Sequence, residues 1–361
     1  MSFHKSFSVV CLAGALFSGC GAESPSADVN QVQQLARGDG WGSTNSNQLF
    51  GGTLSGVTIT GLYFSEGAWY LSTASSLTYA MVSGIQYNGA EVAAADFSTS
   101  LGYFQLLGEQ PELLKESSFN LELAVAAPLE GTLRFTGAQL GSSFARYATA
   151  WIAAGSDPDV TPPSLCPHEQ TDADGNTIVT NEGVIPIGGT RWLLNGSRTA
   201  DANAISLGCA QDAIGGCVNW GYGPWGTKLE EGTGLPLAMA SVHQACTRMK
   251  RADVCGSGSP ITTGTVADYG ETVIHVRDRV GVHATTNQTY TTMEAFWDEN
   301  GASCINASEF RNDSPTIAQR MQINLALCPA RNVACTATHT TVLMSARPCT
   351  VTSATGACIA N

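Results

Sequence analysis

Apolar and polar residues alternate in short runs through the first half of the chain. Gly56 to Phe64 and Ala68 to Thr73 are rich in β-branched and aromatic residues, with Glu66-Gly67 as a turn between them, the composition of paired strands. Leu77 to Val82, Phe119 to Ala126, Thr132 to Leu140 and Ala145 to Ala153 continue the series between Gly, Ser, Asn and Pro clusters. Gln110 to Lys115 reads as one helical turn, and the Gly-Thr-Leu and Thr-Gly-Leu steps near residues 52–62 are too few for a solenoid. Short strands at this spacing predict a β-sandwich or open barrel over residues 49–155.

The pattern then changes. Ser156 to Pro163 is a Pro- and Asp-rich break, and it predicts a domain boundary, with a second domain over residues 164–361. One helix is well signalled there: Pro236 in its first turn, then Ala238, Val242, Ala245 and Met249 at helical spacing, and Gly256 as the stop. Lys250 and Arg251, with Arg248, read as its solvated, dipole-compensating end. Val273 to Val282 and Met293 to Trp297 read as strands. The expected fold is mainly β with a small α+β part, a β-rich first domain followed by a Cys-rich one with one clear helix.

The N-terminus carries an address. Met1 to Lys5 is weakly basic and Ser6 to Phe17 is an apolar run too short to span a bilayer as a helix, which is the pattern of a signal peptide over residues 1–19. Leu16-Phe17-Ser18-Gly19-Cys20 resembles the lipobox of bacterial lipoproteins, with Phe17 where an aliphatic residue is usual; Cys20 is then the expected lipidation site. Residues 20–48 are rich in Ser, Asn, Gln, Gly and Ala, with Trp41 their one large apolar residue, and read as a tether with a mean reach of about 30 Å. The membrane is therefore an expected partner, through the N-terminal lipid, with the outer membrane as the expected location. An envelope or extracellular partner of unknown identity is expected as well.

Composition narrows the function. The chain has 361 residues, a formal charge of −13, 13% charged residues and 39 Gly. That acidic balance argues against nucleic acid and against electrostatic binding to anionic lipid. Of the 12 Cys, Cys11 and Cys20 belong to the export signal. The others are Cys166, Cys209, Cys217, Cys246, Cys255, Cys304, Cys328, Cys335, Cys349 and Cys358, an even set in an exported chain that reads as disulfides. Sequence does not fix the pairing; the neighbours Cys209 and Cys217, Cys246 and Cys255, Cys328 and Cys335, and Cys349 and Cys358 are expected as local bridges.

The stretch His243 to Gly256, containing Ala252-Asp253-Val254-Cys255, resembles the segment that names the ADYC domain, a family of bacterial envelope proteins. Cys217 to Trp225, Val276 to Val282 with its Asp278-Arg279 pair, Glu294 to Trp297 and Gly301 to Cys304 resemble further elements in the same order, so the likeness covers about residues 166–312. Val254 replaces the namesake Tyr, His275 stands where an acidic residue is usual, and residues 266–275 are longer than the usual connection. The resemblance implies an extracytoplasmic domain of unknown function and no catalytic residues.

Few residues invite chemistry. His243 and Cys246 lie three apart on the helix, as a metal pair or activated nucleophile needs, but an oxidised Cys246 would be neither. His168, His275, His283 and His339 show no metal spacing, and no metal or other cofactor is expected. Asp172 to Asn176 reads as a hairpin turn on Asp-Gly rather than a calcium loop. Gly256-Ser257-Gly258 lacks the strand that a nucleophile elbow requires. Asn195, Asn287, Asn306 and Asn312 head sequons that are common by chance. Trp220, Tyr222 and Trp225 are the candidate ligand-contact aromatics, through sugar stacking, against the plainer role of packing over a disulfide. The favoured expectation is a non-enzymatic binding or structural module. The alternative is an envelope glycan or peptide hydrolase built on Asp253, His243 and Asp278.

Overall fold

The computed structural model describes residues 49–50, 52–54, 56–107, 118–123, 130–140, 144–157, 161–171, 177–260, 275–282, 293–306, 319, 322–323, 325–336, 341–346, 349–351 and 358–360. The expected signal segment, Cys20, the expected tether with Trp41, the turn expected at Gln110 to Lys115, Asp172 to Asn176, His283 and His339 lie outside them. The first strands are β1 (Thr53–Leu54), β2 (Val57–Ser65), β3 (Ala68–Thr73), β4 (Ala80–Tyr87), β5 (Ala90–Val92), β6 (Phe97–Ser100), β7 (Tyr103–Leu106), β8 (Ser118–Leu123), β9 (Gly131–Leu140) and β10 (Ala145–Ala153). Beyond the Pro-rich break come β11 (Pro167–Thr171), β12 (Thr177–Asn181), β13 (Val184–Trp192) and β14 (Arg198–Cys209). Helix α1 (Ala213–Asn219), the short strands β15 (Thr227–Leu229) and β16 (Pro236–Ala238), and helix α2 (Met239–Arg251) follow. The last strands are β17 (His275–Asp278), β18 (Met293–Asp298), β19 (Gly301–Ile305), β20 (Leu343–Ala346), β21 (Cys349–Val351) and β22 (Cys358–Ala360).

The main sheet closes on itself. Its hydrogen-bonded order runs β2, β14, β13, β10, β9, β8, β4, β3, and β3 pairs back onto β2, all antiparallel; β1 and β5 hang off the ring. Closure removes the exposed edges that would otherwise recruit another chain, and an eight-strand ring is just wide enough for side chains to fill. The filling follows strand alternation: Phe119, Leu121 and Leu123 of β8 and Tyr147 and Trp151 of β10 are buried, whereas Ser118, Asn120 and Glu122 on the other face are half-buried. The hairpin β6–β7 adds Phe97 and Phe104, whose rings stand 5.1 Å (Phe104 to Phe135) and 4.9 Å (Phe104 to Tyr147) from inward neighbours. The Phe104 N–H donates to the Tyr147 hydroxyl at 3.1 Å, so that buried hydroxyl has a partner.

Strands β13 and β14 carry the ring across the break at residues 156–163. Tyr147 of β10 pairs with Val184 of β13, and Ala204 to Ser206 of β14 pair with Tyr63 to Gly61 of β2. The expected boundary therefore does not divide the main sheet, because its last two strands come from the Cys-rich half. Those strands escape pattern reading: β14 reads Arg-Thr-Ala-Asp-Ala-Asn-Ala-Ile-Ser-Leu-Gly-Cys, with buried residues only at its end. β13 is buried on both faces over Val184 to Ile187, one face meeting the ring interior and the other meeting Leu49, Phe50, Ala213 and Ile214.

Helix α2 begins at Met239, three residues later than the proline signal suggests, since Pro236 belongs to β16, paired with Leu229 of β15. Helix α1, which the sequence pattern missed, contains Gly215 and Gly216, poor helix formers. Its packing requires them: a Cβ on Gly215 would sit 2.3 Å from the Cys209 carbonyl oxygen, and one on Gly216 2.7 Å from Lys250 Nζ. Below α2 lies a four-stranded sheet in the order β17, β20, β18, β19, and Val242, Met249, Trp297 and Leu343 share one core.

Four disulfides are present among the described residues: Cys166–Cys209, Cys217–Cys246, Cys255–Cys328 and Cys304–Cys335, with Cα separations of 5.5, 5.9, 5.6 and 5.0 Å. Three expected local bridges, Cys209 with Cys217, Cys246 with Cys255 and Cys328 with Cys335, are thus incorrect. Packing of α1 on α2 places Cys217 against Cys246, and the end of α2 turns Cys255 toward Cys328. For the fourth expectation, the backbones of Cys349 and Cys358 belong to the paired strands β21 and β22, and their side chains lie outside the described residues. Phe104→Ala is expected to destabilise the protein by about 3–5 kcal/mol through the cavity it leaves. Leu101→Ala, at the exposed tip of the same hairpin, should stay within about 0.5 kcal/mol; urea unfolding of the two variants measures both.

Candidate functional site

The residues singled out by sequence gather around the end of α2, and there the fold uses them itself. Ala252 follows the helix in the left-handed region (φ 52°), with its N–H bonded back to the Arg248 and Met249 carbonyls. Asp253, fully buried, forms an ion pair with Arg248, and its carboxylate accepts the N–H groups of Ser257 (3.1 Å) and Gly258 (2.9 Å). Val254 is buried, and its carbonyl accepts the Ala302 N–H at 2.9 Å. Cys255 is bridged to Cys328. Gly256 and Gly301 permit the close approach: a Cβ on Gly256 would lie 2.0 Å from the Asn300 carbonyl oxygen, and one on Gly301 2.3 Å from that of Val254. Ala252 to Cys255 is therefore a corner that ends a helix and pins it to the β18–β19 hairpin. An apolar side chain at 254 fits, because the position is interior.

The basic end of α2 is not solvated. Arg248, Lys250 and Arg251 are 2%, 1% and 5% exposed. Arg248 donates to the carbonyls of Asn195 and Glu299 and to the Ser197 hydroxyl, so one guanidinium joins α2 to the β13–β14 turn and to the loop after β18. Arg251 donates to the Gly258 carbonyl at 2.9 Å. Lys250 places its ammonium 4.4 Å from the centre of the Trp220 ring, a cation–π contact. Burial pulls its pKa down to about 8, with Asp212 opposing that shift.

Trp220 and Tyr222 are interior, 3% and 0% exposed, and present no face to a sugar. Tyr222 donates to Asp278 Oδ2 at 2.8 Å, and burial followed by the Asp278 charge raises its pKa well above the ordinary value. Trp225 is half-buried against the cluster holding Phe144 and Ile187. Trp220 and Tyr222 share the core that holds the Cys217–Cys246 bridge, the plainer of the two sequence expectations, whereas Trp225 packs in a different cluster. Asp278 also accepts the N–H groups of Val280 (2.8 Å) and Val282 (3.1 Å). Like Asp253, it is a buried carboxylate satisfied by backbone and one side-chain donor.

His243 is fully buried, its Nε2 3.0 Å from the Ile214 carbonyl oxygen and its ring 5.3 Å from that of Trp192. A carbonyl can only accept, so Nε2 carries the proton. Burial pulls its pKa down to about 4; the Ile214 bond opposes the shift and the charge of Arg198 adds to it. Cys246 is in a disulfide, so the His243 and Cys246 pair supplies neither a metal site nor a nucleophile. Asp253, Asp278 and His243 have separate interior partners and face no common cleft, which removes the basis for a hydrolase built on them. Two concavities elsewhere among the described residues, one of about 10 Å³ beside Thr60, Ser72, Arg191 and Trp192 and one of about 460 Å³ beside Ser83, Glu122, Glu130 and Ser156, are lined by none of the expected site residues. Among the described residues, no group of three His, Cys, Asp or Glu is arranged to hold a metal ion.

These features define a disulfide-stapled, mainly β protein in which a barrel and a helix-on-sheet part share one run of buried charge. The ADYC domain profile matches residues 109–311, more than half of the chain, and the chain belongs to the ADYC domain family. The match begins ahead of β8, well before residue 166 where the motif resemblance starts, so it includes β10, which pairs with β13, but not β2, which pairs with β14. No curated protein and no solved structure matches the chain.

Two outcomes are expected. Asp253→Ala leaves Arg248 buried without its counter-ion and should lose about 3–5 kcal/mol in chemical denaturation. For His243 the folded pKa lies below the unfolded value, so between pH 6.5 and about 4 the unfolded chain binds a proton that the folded one refuses. Stability therefore falls as the pH drops through that window, by up to about 3 kcal/mol. The difference between wild-type and His243→Gln unfolding curves across that pH range isolates this contribution.

Proposed function

We propose that the chain is an exported envelope protein, lipid-anchored through Cys20, in which the ADYC domain serves as a non-enzymatic binding or structural module. The observation that carries this reading is the saturation of its chemistry by its own fold: Asp253, Asp278, Arg248, His243 and the cysteines 217 and 246 are all interior and engaged. With the carboxylates, the Arg248 guanidinium and both sulfurs so committed, the Nδ1 of His243 alone among these groups keeps an unpartnered lone pair, and it is enclosed away from solvent. The disulfides agree with an oxidising compartment, and the lipobox-like Leu16 to Cys20 gives the route to it. An acyl anchor holds the tether's start at a surface, with outer membrane as the proposed location and an envelope or extracellular partner as the proposed target.

The test is intact-mass analysis of protein from its native membrane, before and after reduction and alkylation. The expected mass starts at Cys20 with added acyl chains, and alkylation of the cysteines after residue 165 appears only after reduction. A chain starting at Met1, or thiols free at Cys217 or Cys246 in the unreduced protein, would overturn the exported reading.

A further inference from the structure

The turn joining β13 to β14 presents two adjacent leucines to solvent, Leu193 at 42% and Leu194 at 63% exposure. Turns of this kind normally carry polar residues. The leucines are not there because the loop is slack. The Gly196 N–H donates to the Leu193 carbonyl at 2.8 Å, the Ser197 N–H donates to Asn195 Oδ1 at 2.9 Å, and Gly196 has φ 74°. Beneath them Arg248 holds the Asn195 carbonyl and the Ser197 hydroxyl. The tip is fixed from inside by the same arginine that pairs with Asp253, so presenting the leucines requires no further ordering.

Two arginines flank the tip. Arg191 and Arg198 are half-buried, the Nε of each is enclosed in the protein, and neither forms an ion pair among the described residues; Arg198 senses the Glu299 charge without a direct bridge to it. In a chain of charge −13, two guanidiniums without a carboxylate partner beside an apolar tip ask for an anionic partner outside the fold. Arginine binds phosphate oxygens well.

The described chain also starts close to this tip. The Leu49 carbonyl accepts the Ile214 N–H, the Ile214 carbonyl holds His243, and the His243 ring lies 5.3 Å from Trp192, the residue before Leu193. Residues 20–48 lead into that point, so a surface holding the lipid on Cys20 is joined to the tip through a short length of chain and stays at high local concentration near it.

We infer that the β13–β14 turn is a membrane-contact site: Leu193 and Leu194 enter the headgroup and acyl boundary of a phospholipid surface, and Arg191 and Arg198 pair with its phosphates. The choice of occupant rests on the lipid-anchor reading proposed above. The net negative charge of the whole protein opposes approach to an anionic surface, but at about 0.15 M salt it is screened beyond about 8 Å, and the contact is decided locally.

The test uses the full chain with an ordinary cleavable leader replacing residues 1–19 and Cys20→Ser, so that no acyl chain assists. It should float with vesicles of phosphatidylethanolamine and phosphatidylglycerol. The double variant L193N/L194N should bind at least about tenfold less, and R191Q/R198Q about fivefold less, with melting of L193N/L194N unchanged. In L194W the added indole emission should shift to the blue on vesicles. Equal binding by L193N/L194N and its parent, an L194W emission that vesicles leave unchanged, or a tip whose leucines instead drive self-association in solution would overturn the inference. Mass analysis at Cys20 stays independent. An acylated native chain whose tip ignores vesicles removes this inference alone, and a vesicle-binding tip on a chain never acylated removes the anchor alone.

Discussion

A carboxylate without water must find all its donors inside the protein, and Asp253 finds them on three sides. Arg248 comes from one turn back along α2, and the N–H groups of Ser257 and Gly258 come from the chain just ahead. Meeting that demand decides much else. The helix has to stop at Ala252, the chain has to fold under its own end, and Cys255 has to emerge toward Cys328. Since Arg248 also holds the carbonyls of Asn195 and Glu299, the position of one carboxylate is carried into the barrel's β13–β14 turn and into the sheet beneath α2. Replacing such a pair with apolar residues often leaves stability unchanged or improves it; in this protein the pair acts as a geometric key, setting where three segments meet.

How much of this was legible in the sequence depended on whether neighbours along the chain or neighbours in space decided a residue's environment. Local patterns worked. The strands β2, β3, β4, β8, β9 and β10 show in β-branched and aromatic alternation, although β5 and the β6–β7 hairpin do not, and the body of α2 shows in Val242, Ala245 and Met249. Where contacts from distant segments set the outcome, the sequence misled. Arg248, Lys250 and Arg251 have the composition of a solvated helix end, yet Asp253, Trp220 and the Gly258 carbonyl bury them. Gly215 and Gly216 hide α1, because the close contact that needs them lies on other strands and helices. Proximity in sequence was also a poor guide to the cysteines, since α1 lies along α2 and brings together residues 29 apart. The signals for the corner were present as Ala252 to Gly256 but say nothing of their purpose without the hairpin they grip.

The family match is larger than its most recognisable motifs and takes in β8, β9 and β10 of the closed ring but not β2, β3 or β4. Those motifs cluster after residue 209, where charge and sulfur are dense, but β13 and β14 lead into that region and each needs a partner on its other edge. β10 and β2 supply them. The motif-rich part therefore has a barrel as its foundation, with the outer face of β13 as the shared wall.

The two kinds of disulfide in this protein have different histories open to them. Cys217 and Cys246 are both fully enclosed, under the helix pair, where no oxidase or small thiol can reach sulfur once the core has set. Forming or exchanging that bond therefore requires the helix pair to be open enough for an oxidant or thiol to reach the sulfurs. The Cys255–Cys328 bridge joins two residues that are only half-buried. A chain that packs α1 on α2 before that oxidation has to reopen them to complete the Cys217–Cys246 bridge.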